Sequence, residues 1–324
     1  MIMSRVPSLT EQHNILKQFT IPNTNIAVIS HGLFNKKLSN PEITKFIHDN
    51  DLIIPKNIKI MKPIHLLFLH YEDKIYIDYN IIIGDFSSVT IIEEHIVLNQ
   101  YESHHEMNIR INTLPKSILV YYKFQCSLNK GNSNFKTTTF IEQHQESKIL
   151  NYVINYGADK IQDNTIVKLI DTRSYFGTKV LNFMQHMQNY NNKISIEHLI
   201  SDCASDILVK SIVNDNAIFN FDGRVIVNKN AINTNTHMIN KNLLLSIAAK
   251  INTTPALEVY IDNVVCTHSA TTGYLDPVAL FYCRSRGISQ NAAMNILIFS
   301  FMNEIMEHFA KFQRLWNLVG LTYE

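Results

Sequence analysis

The chain has 324 residues, 46% of them hydrophobic, enough to bury a sizeable core without disulfide support. Its 29 basic and 28 acidic residues leave a formal charge of +1 with no basic stripe, which argues against a nucleic-acid partner. Four cysteines without a CxxC pair exclude a zinc ribbon or disulfide frame and fit a reducing compartment.

The opening MIMSRVPSLTEQHN has no long apolar segment, and no apolar run of eighteen residues follows. The expectation is a cytoplasmic chain with no leader and no membrane span. Residues 1–62 read as a short mixed region. A helix is predicted over 8–19 with Ser8 or Thr10 as N-cap and another after Asn40, with an extended stretch at 26–34 between them.

From residue 63 the pattern becomes short β-like runs rich in Ile, Val, Tyr, Phe and Thr. They fall at 65–71, 74–83, 88–98, 108–112, 117–125, 136–143, 149–156, 165–171, 193–200, 217–227 and 256–265. Even spacing of this kind suits a parallel solenoid or a sandwich equally, and no fixed-length repeat separates the two. Beyond residue 273 the chain reads as helical. Asp276 caps a helix with Pro277 at its first position, Gly287 stops it after Arg284 and Arg286, and Ser289 starts another. In that second helix Met294, Leu297, Ile298, Phe301, Ile305, Phe309 and Phe312 form one apolar face, expected to pack on the chain itself.

Candidate chemistry concentrates at Cys266 and His268. Two residues apart on a strand, they project to one face and can share a metal. Two donors are half a coordination sphere, so a second chain or a carrier would supply the rest. The plain alternative is a buried small thiol beside an ordinary hydrogen-bonded imidazole. His104 and His105 point to opposite faces, Glu93 and Glu94 are adjacent and not co-facial, and His65 and His70 read as strand-end residues. There is no HExxH, GxSxG, P-loop or GxGxxG, so hydrolase, NTPase and dinucleotide readings lack their usual devices.

These C-terminal residues carry a family resemblance. Cys266, Thr267, His268, Ser269, Ala270 and Thr271, then Leu275 and Asp276, then Phe281 to Ile288, resemble the C-terminal signature of the SufB/SufD family. The likeness is closer to its SufD-type members, which read Cys-x-His-Gly-Ala-Thr and Phe-Tyr-Leu-Arg-Ser-Arg-Gly-Ile, than to SufB-type members with Glu-His-Glu-Ala-Thr. The stretch 219–246 shares it. Ser269 stands where those members have Gly, and Cys283 where they have Leu; residues 1 to about 150 match poorly.

The resemblance implies a mainly β fold: a right-handed parallel β-helix over 63–272, flanked by the N-terminal region 1–62 and a C-terminal helical domain 273–324. It implies a non-catalytic scaffold subunit for iron-sulfur cluster assembly, pairing with a SufB-like subunit. His268 and Cys266 would be partial ligands for a transient cluster or iron shared at that interface. It also implies docking of a separate SufC-like ABC-type ATPase, with Phe281, Tyr282, Arg284 and Arg286 as candidate contacts; a homodimer when the partner is absent stays an open alternative. Two further readings remain beside it: a structural subunit that positions the partners without holding metal, and a polysaccharide-active β-helix enzyme. The second lacks co-facial carboxylates.

Overall fold

The computed structural model describes residues 16–98, 102–126, 133–310 and 312. Two long sheets run face to face through the molecule. The first contains β1 (Asn25–Ser30), β2 (Leu33–Phe34), β5 (Ile64–His70), β7 (Ser88–Val97), β9 (Ile118–Cys126), β11 (Lys148–Tyr156), β13 (Tyr175–Met184), β15 (Ala204–Val213), β17 (Asn235–Leu244) and β19 (Val265–Tyr274). The second contains β3 (Ile47–His48), β4 (Asp51–Ile54), β6 (Lys74–Ile83), β8 (Ser103–Thr113), β10 (Ser133–Gln143), β12 (Lys160–Leu169), β14 (Asn189–His198), β16 (Ile218–Val227) and β18 (Lys250–Val259). The chain alternates between the sheets, and from β5 onward every ladder is parallel. This is a parallel β-solenoid of about 7 turns, and the sandwich alternative falls away.

From β5 onward successive coils are offset by 26 to 32 residues, for example Asn134↔Lys160 and Ile218↔Lys250. That drift hides the repeat from a search for one fixed period. The corners are more regular. Phe86, Lys116, Glu146, Arg173, Asp202 and Asn233 all adopt a positive φ, 27 to 31 positions apart. Each is followed by a small polar residue: Ser87, Ser117, Ser147, Ser174, Cys203 and Thr234. The hydroxyls of Ser117, Ser147, Ser174 and Thr234 each donate to a carbonyl three residues back, closing the turn where the sheet ladder cannot.

Inward positions alternate with outward ones, so one row per strand fills the interior. Ile91, Leu119, Ile149, Phe176, Ile207 and Met238 on the first sheet meet Ile109, Ile141, Val167, Ile194 and Val225 on the second in one continuous core. Gly223 is required there: a Cβ on it would lie 2.5 Å from the Met238 sulfur and 2.7 Å from the Phe221 ring.

The two ends differ. At the N-terminal end, β2 folds back antiparallel on β1 and β3 on β4, while β1 and β4 add parallel to β5 and β6. The sheets therefore take in part of the first 62 residues. Residues 16–19 are helical and the rest of the predicted 8–19 helix lies outside the described residues; after Asn40 only α1 (Pro41–Thr44) forms. At the C-terminal end, β18 and β19 each have one neighbour and one bare edge.

Three strands escape the sequence reading, β13, β15 and β17, and of β19 only the start is read. The predicted run 256–265 also divides into the end of β18, a corner and the first residue of β19. Beyond them come α2 (Pro277–Ser285) and α3 (Gln290–Met306), followed by a short 3₁₀ turn. Asp276 caps α2 through the Val278 N–H at 2.9 Å. Gly287, at φ +85°, ends it with the two backward bonds of a Schellman turn, to Arg284 and Cys283.

Helix α3 packs on its own chain, across the outer face of the first sheet, as expected. Its buried stripe is rotated from the predicted one: Ala293, Ile298, Met302, Ile305 and Met306 are buried, while Met294 and Leu297 are half-buried. Ile298, Met302, Ile305, Phe309 and Phe312 seat on Ile92, Phe124, Tyr152, Leu181, Leu208 and Leu243, each large side chain contributing about 1.5–3 kcal/mol. Lys210, nearly sealed from solvent on β15, pins the helix through Glu304 at 2.6 Å and the Phe301 carbonyl at 2.8 Å. Among the described residues no helix is long and apolar enough to cross a membrane.

Candidate functional site: the open last coil

Cys266 and His268 stand at the beginning of β19, in register with Thr236 and Met238 of β17. Thr236 and Met238 are fully buried and face the interior, so Cys266 and His268 occupy the inward row. No coil covers that row. Cys266 is half-buried and packs on the core, His268 is exposed, and Ala270 and Thr272 continue the row as exposed residues. Interior positions thus become a surface because the solenoid stops there.

At about 3.3 Å per residue, the two donors are about 6.6 Å apart along the strand and on one side. Burial pushes the Cys266 thiol above its ordinary pKa, so thiolate formation needs a metal or a positive neighbour. Among the described residues no three His, Cys, Asp or Glu side chains gather as a metal-ligand set, so this chain brings two donors and not a closed site. Cys203 is buried at a corner, bonded to Ser174 and to the Asp171 carbonyl, and Cys283 lies on α2; neither joins Cys266. Ser269, in the place of the usual Gly, sits in ordinary strand conformation, since its φ is not positive.

Beneath the open row lies a polar floor. Asn240 and Asn242 bond to each other, Asn242 donates to Thr272 Oγ1 at 3.3 Å, and Thr253 of β18 donates to Asn240 Oδ1 at 2.9 Å. These amides tie the last coil to the one below it. Sequence reasoning missed them because Asn at inward positions breaks the apolar alternation that marks a strand.

Apolar side chains flank the ends of the open coil among polar ones. Val259, Tyr260, Val265 and Tyr274 are exposed at the ends of the two edge strands. Strand β19 runs through Leu275 directly into α2, which buries none of its residues. Phe281 is 72% exposed and Tyr282 59%, so the helix turns its aromatic side to solvent and not to the core. Arg286 lies over the Tyr282 ring, 5.3 Å from its centroid, which gives a cationic aromatic surface; Arg284 is exposed beside it.

The family model described as SUF system FeS cluster assembly, SufBD core domain, matches residues 72–301. The chain belongs to that SufBD family. It is similar to an iron-sulfur cluster assembly SufBD family protein of Synechocystis, 29% identical over 266 residues, covering 78% of this chain and 58% of the relative. It is also similar to the iron-sulfur cluster assembly protein SufD of Escherichia coli, 29% identical over 221 residues, 68% of this chain and 52% of that one. SufD of Bacillus subtilis is 25% identical over 260 residues, 79% and 59% of the two chains. The chain is therefore SufD-like, a member of an iron-sulfur cluster assembly family, and spans a little over half the length of these relatives. The matched region includes the open coil, α2 and most of α3, and it carries the solenoid from β6 onward.

Proposed function

We propose that this chain is a non-catalytic, SufD-type scaffold subunit whose open last coil pairs with a SufB-type partner, in a cytoplasmic setting. The nascent iron-sulfur cluster, or its iron, is cargo at that junction, with His268 and Cys266 supplying part of its ligand set and the partner completing it. One observation carries the reading: two donor side chains in the inward row of a solenoid are left uncovered between two bare, apolar-flanked strand edges. Such edges favour pairing with another chain. The same surface would join two copies when the partner is absent. Helix α2 is the contact for a separate SufC-type ATPase, through Phe281, Tyr282, Arg284 and Arg286; its exposed aromatics and its direct connection to β19 support that role.

Co-expression with SufB- and SufC-type partners tests this, by measuring iron and sulfide in the assembled complex. His268→Ala is expected to lower both at least threefold while size-exclusion chromatography still shows the complete complex, and Cys266→Ser to lower them less. Full retention in the His268 variant would leave the imidazole without a role as ligand and favour the purely structural, partner-positioning reading.

A further inference from the structure

The two bare edges at the open end are not alike, and the difference lies in their backbones. Along a strand, successive residues turn their N–H and C=O groups alternately to one neighbour and to the other. On β19, Val265 donates its N–H to the Thr234 carbonyl of the preceding coil at 2.9 Å. The odd-numbered residues of β19 therefore bond β17, and Cys266, His268, Ala270, Thr272 and Tyr274 turn their backbone groups to the bare edge. That edge is complete, each residue offering one donor and one acceptor. On β18, Lys250 donates to the Ala217 carbonyl at 3.0 Å, and Tyr260, just past the strand, to that of Val227 at 3.0 Å. The even-numbered residues are thus engaged with β16, and Ile251, Thr253, Pro255, Leu257 and Val259 face outward. Pro255 stands in the middle of that row without an N–H, and a ring carbon fills the place of the hydrogen.

This break lies opposite the donor imidazole. One coil below, Gly223 and Met238 meet across the interior: a Cβ on Gly223 would lie 2.5 Å from the Met238 sulfur. Pro255 is in register with Gly223 in the second sheet, and His268 with Met238 in the first. The break in the β18 edge therefore faces His268 across the mouth of the open coil. The bond from Thr253 to Asn240, which is in register with Ala270, gives the same alignment. Pro255 is half-buried and His268 exposed, so nothing of this chain fills the space above them.

A strand added to β19 can bond along its whole length and seal that side. Against β18 it cannot: opposite Pro255 one of its carbonyls meets a ring methylene and no donor, and the strand must bow away from the ordinary spacing of about 4.8 Å. We propose that the seam with the second chain is closed along β19 and left open at Pro255, and that this window admits iron- or sulfide-sized species to His268 and Cys266. Pro255 is a positioning residue: it ligates nothing and keeps the backbones apart in front of the ligands. The inference rests on the pairing proposed above. Proline on an edge strand also discourages unwanted pairing, but any outward position of β18 would serve that end, and Pro255 occupies the one that faces the imidazole.

The test is alkylation of Cys266 by iodoacetamide in the metal-free complex of the full chain with SufB- and SufC-type partners, read by mass spectrometry of the peptide that contains it. Pro255→Ala returns an N–H to the edge while shrinking the side chain that faces His268. The ratio of the Cys266 rate in the complex to that in the isolated chain is expected to fall by about fivefold or more in the variant, and the restored amide to gain protection from hydrogen exchange only in the complex. If the proline merely fills space, the smaller side chain opens the path and the ratio rises. A ratio that rises or stays unchanged, or a wild-type complex in which Cys266 does not react at all, overturns the window. Wild-type chains that fail to assemble overturn the pairing itself, and the window with it, so the two failures are told apart.

Discussion

The sealed first coils and the open last coil carry the same kind of side chain in the same kind of position. His70, His95 and His268 all stand on inward rows of the first sheet, yet the first two are buried and the third is exposed. The difference is whether another coil lies above. In the early coils an imidazole must find its partners inside the protein, and His95 does so in Glu93 and His70 in His95. On β19 it has solvent in place of a next coil, and a binding partner can take that place. A solenoid thus turns interior chemistry into interface chemistry by ending.

Mutations at the two ends should separate sharply. Lys123→Met leaves the Asp163 carboxylate buried without its cation and should cost about 3–5 kcal/mol in urea unfolding, whereas the double change with Asp163→Leu recovers most of the loss. A fall under 1 kcal/mol would mean that the interior is wetter than its burial implies. Acid should sharpen the same contrast. His70, His105 and His198 are held neutral in the fold, with pKa values below 6.5 that reach about 3 for His105 and about 4 for His198, mainly through burial. Above pH 6.5 they contribute no pH dependence. Below it the unfolded chain takes up protons that the folded one refuses, so stability falls by about 1.4 kcal/mol per pH unit for each histidine. The loss runs down to about pH 4 for His198 and about pH 3 for His105, and a urea midpoint that stays flat from pH 7 to 5 would contradict it.

Smaller effects belong to the open end. Asp276→Ala removes the cap of α2 and should cost about 1 kcal/mol, visible as faster amide exchange in that helix but not in β5 or β7. His268→Ala should change the stability of the isolated chain by less than about 0.5 kcal/mol, because the side chain is exposed. A larger loss would show that the imidazole supports the coil in its own right.

The early strands were legible because their apolar alternation is strong: residues 74–83 and 88–98 were read almost to their ends as β6 and β7. Of β19 only the start, at Cys266 and His268, was read, and strands β13, β15 and β17 were not, because Gly177, Lys210, Asn240 and Asn242 occupy positions where an isolated strand would want apolar or β-branched residues. Each is suited to a specific neighbour. Lys210 meets Glu304 more than ninety residues later, and Asn240 meets Thr253 of the opposite sheet. Likewise His65, read as a strand-end residue, bonds Glu94 on the outer face at 3.0 Å, and His70 meets His95 of β7 and His105 of β8 in the interior. No local pattern announces such partners.

By itself the sequence determined the β-rich middle, the caps and stop of α2, the pairing of Cys266 with His268 on one face of a strand, and the family resemblance that pointed to a solenoid. All of these depend on spacing within a dozen residues, or on a motif that can be read along the chain. Tertiary structure alone decided that the inward row is open at β19, that α2 is bare while α3 is seated, and that Tyr79, Tyr121 and His95 converge on Glu93. Those facts depend on which coil lies above and which below, an arrangement fixed by contacts about thirty residues apart and by where the stacking ends.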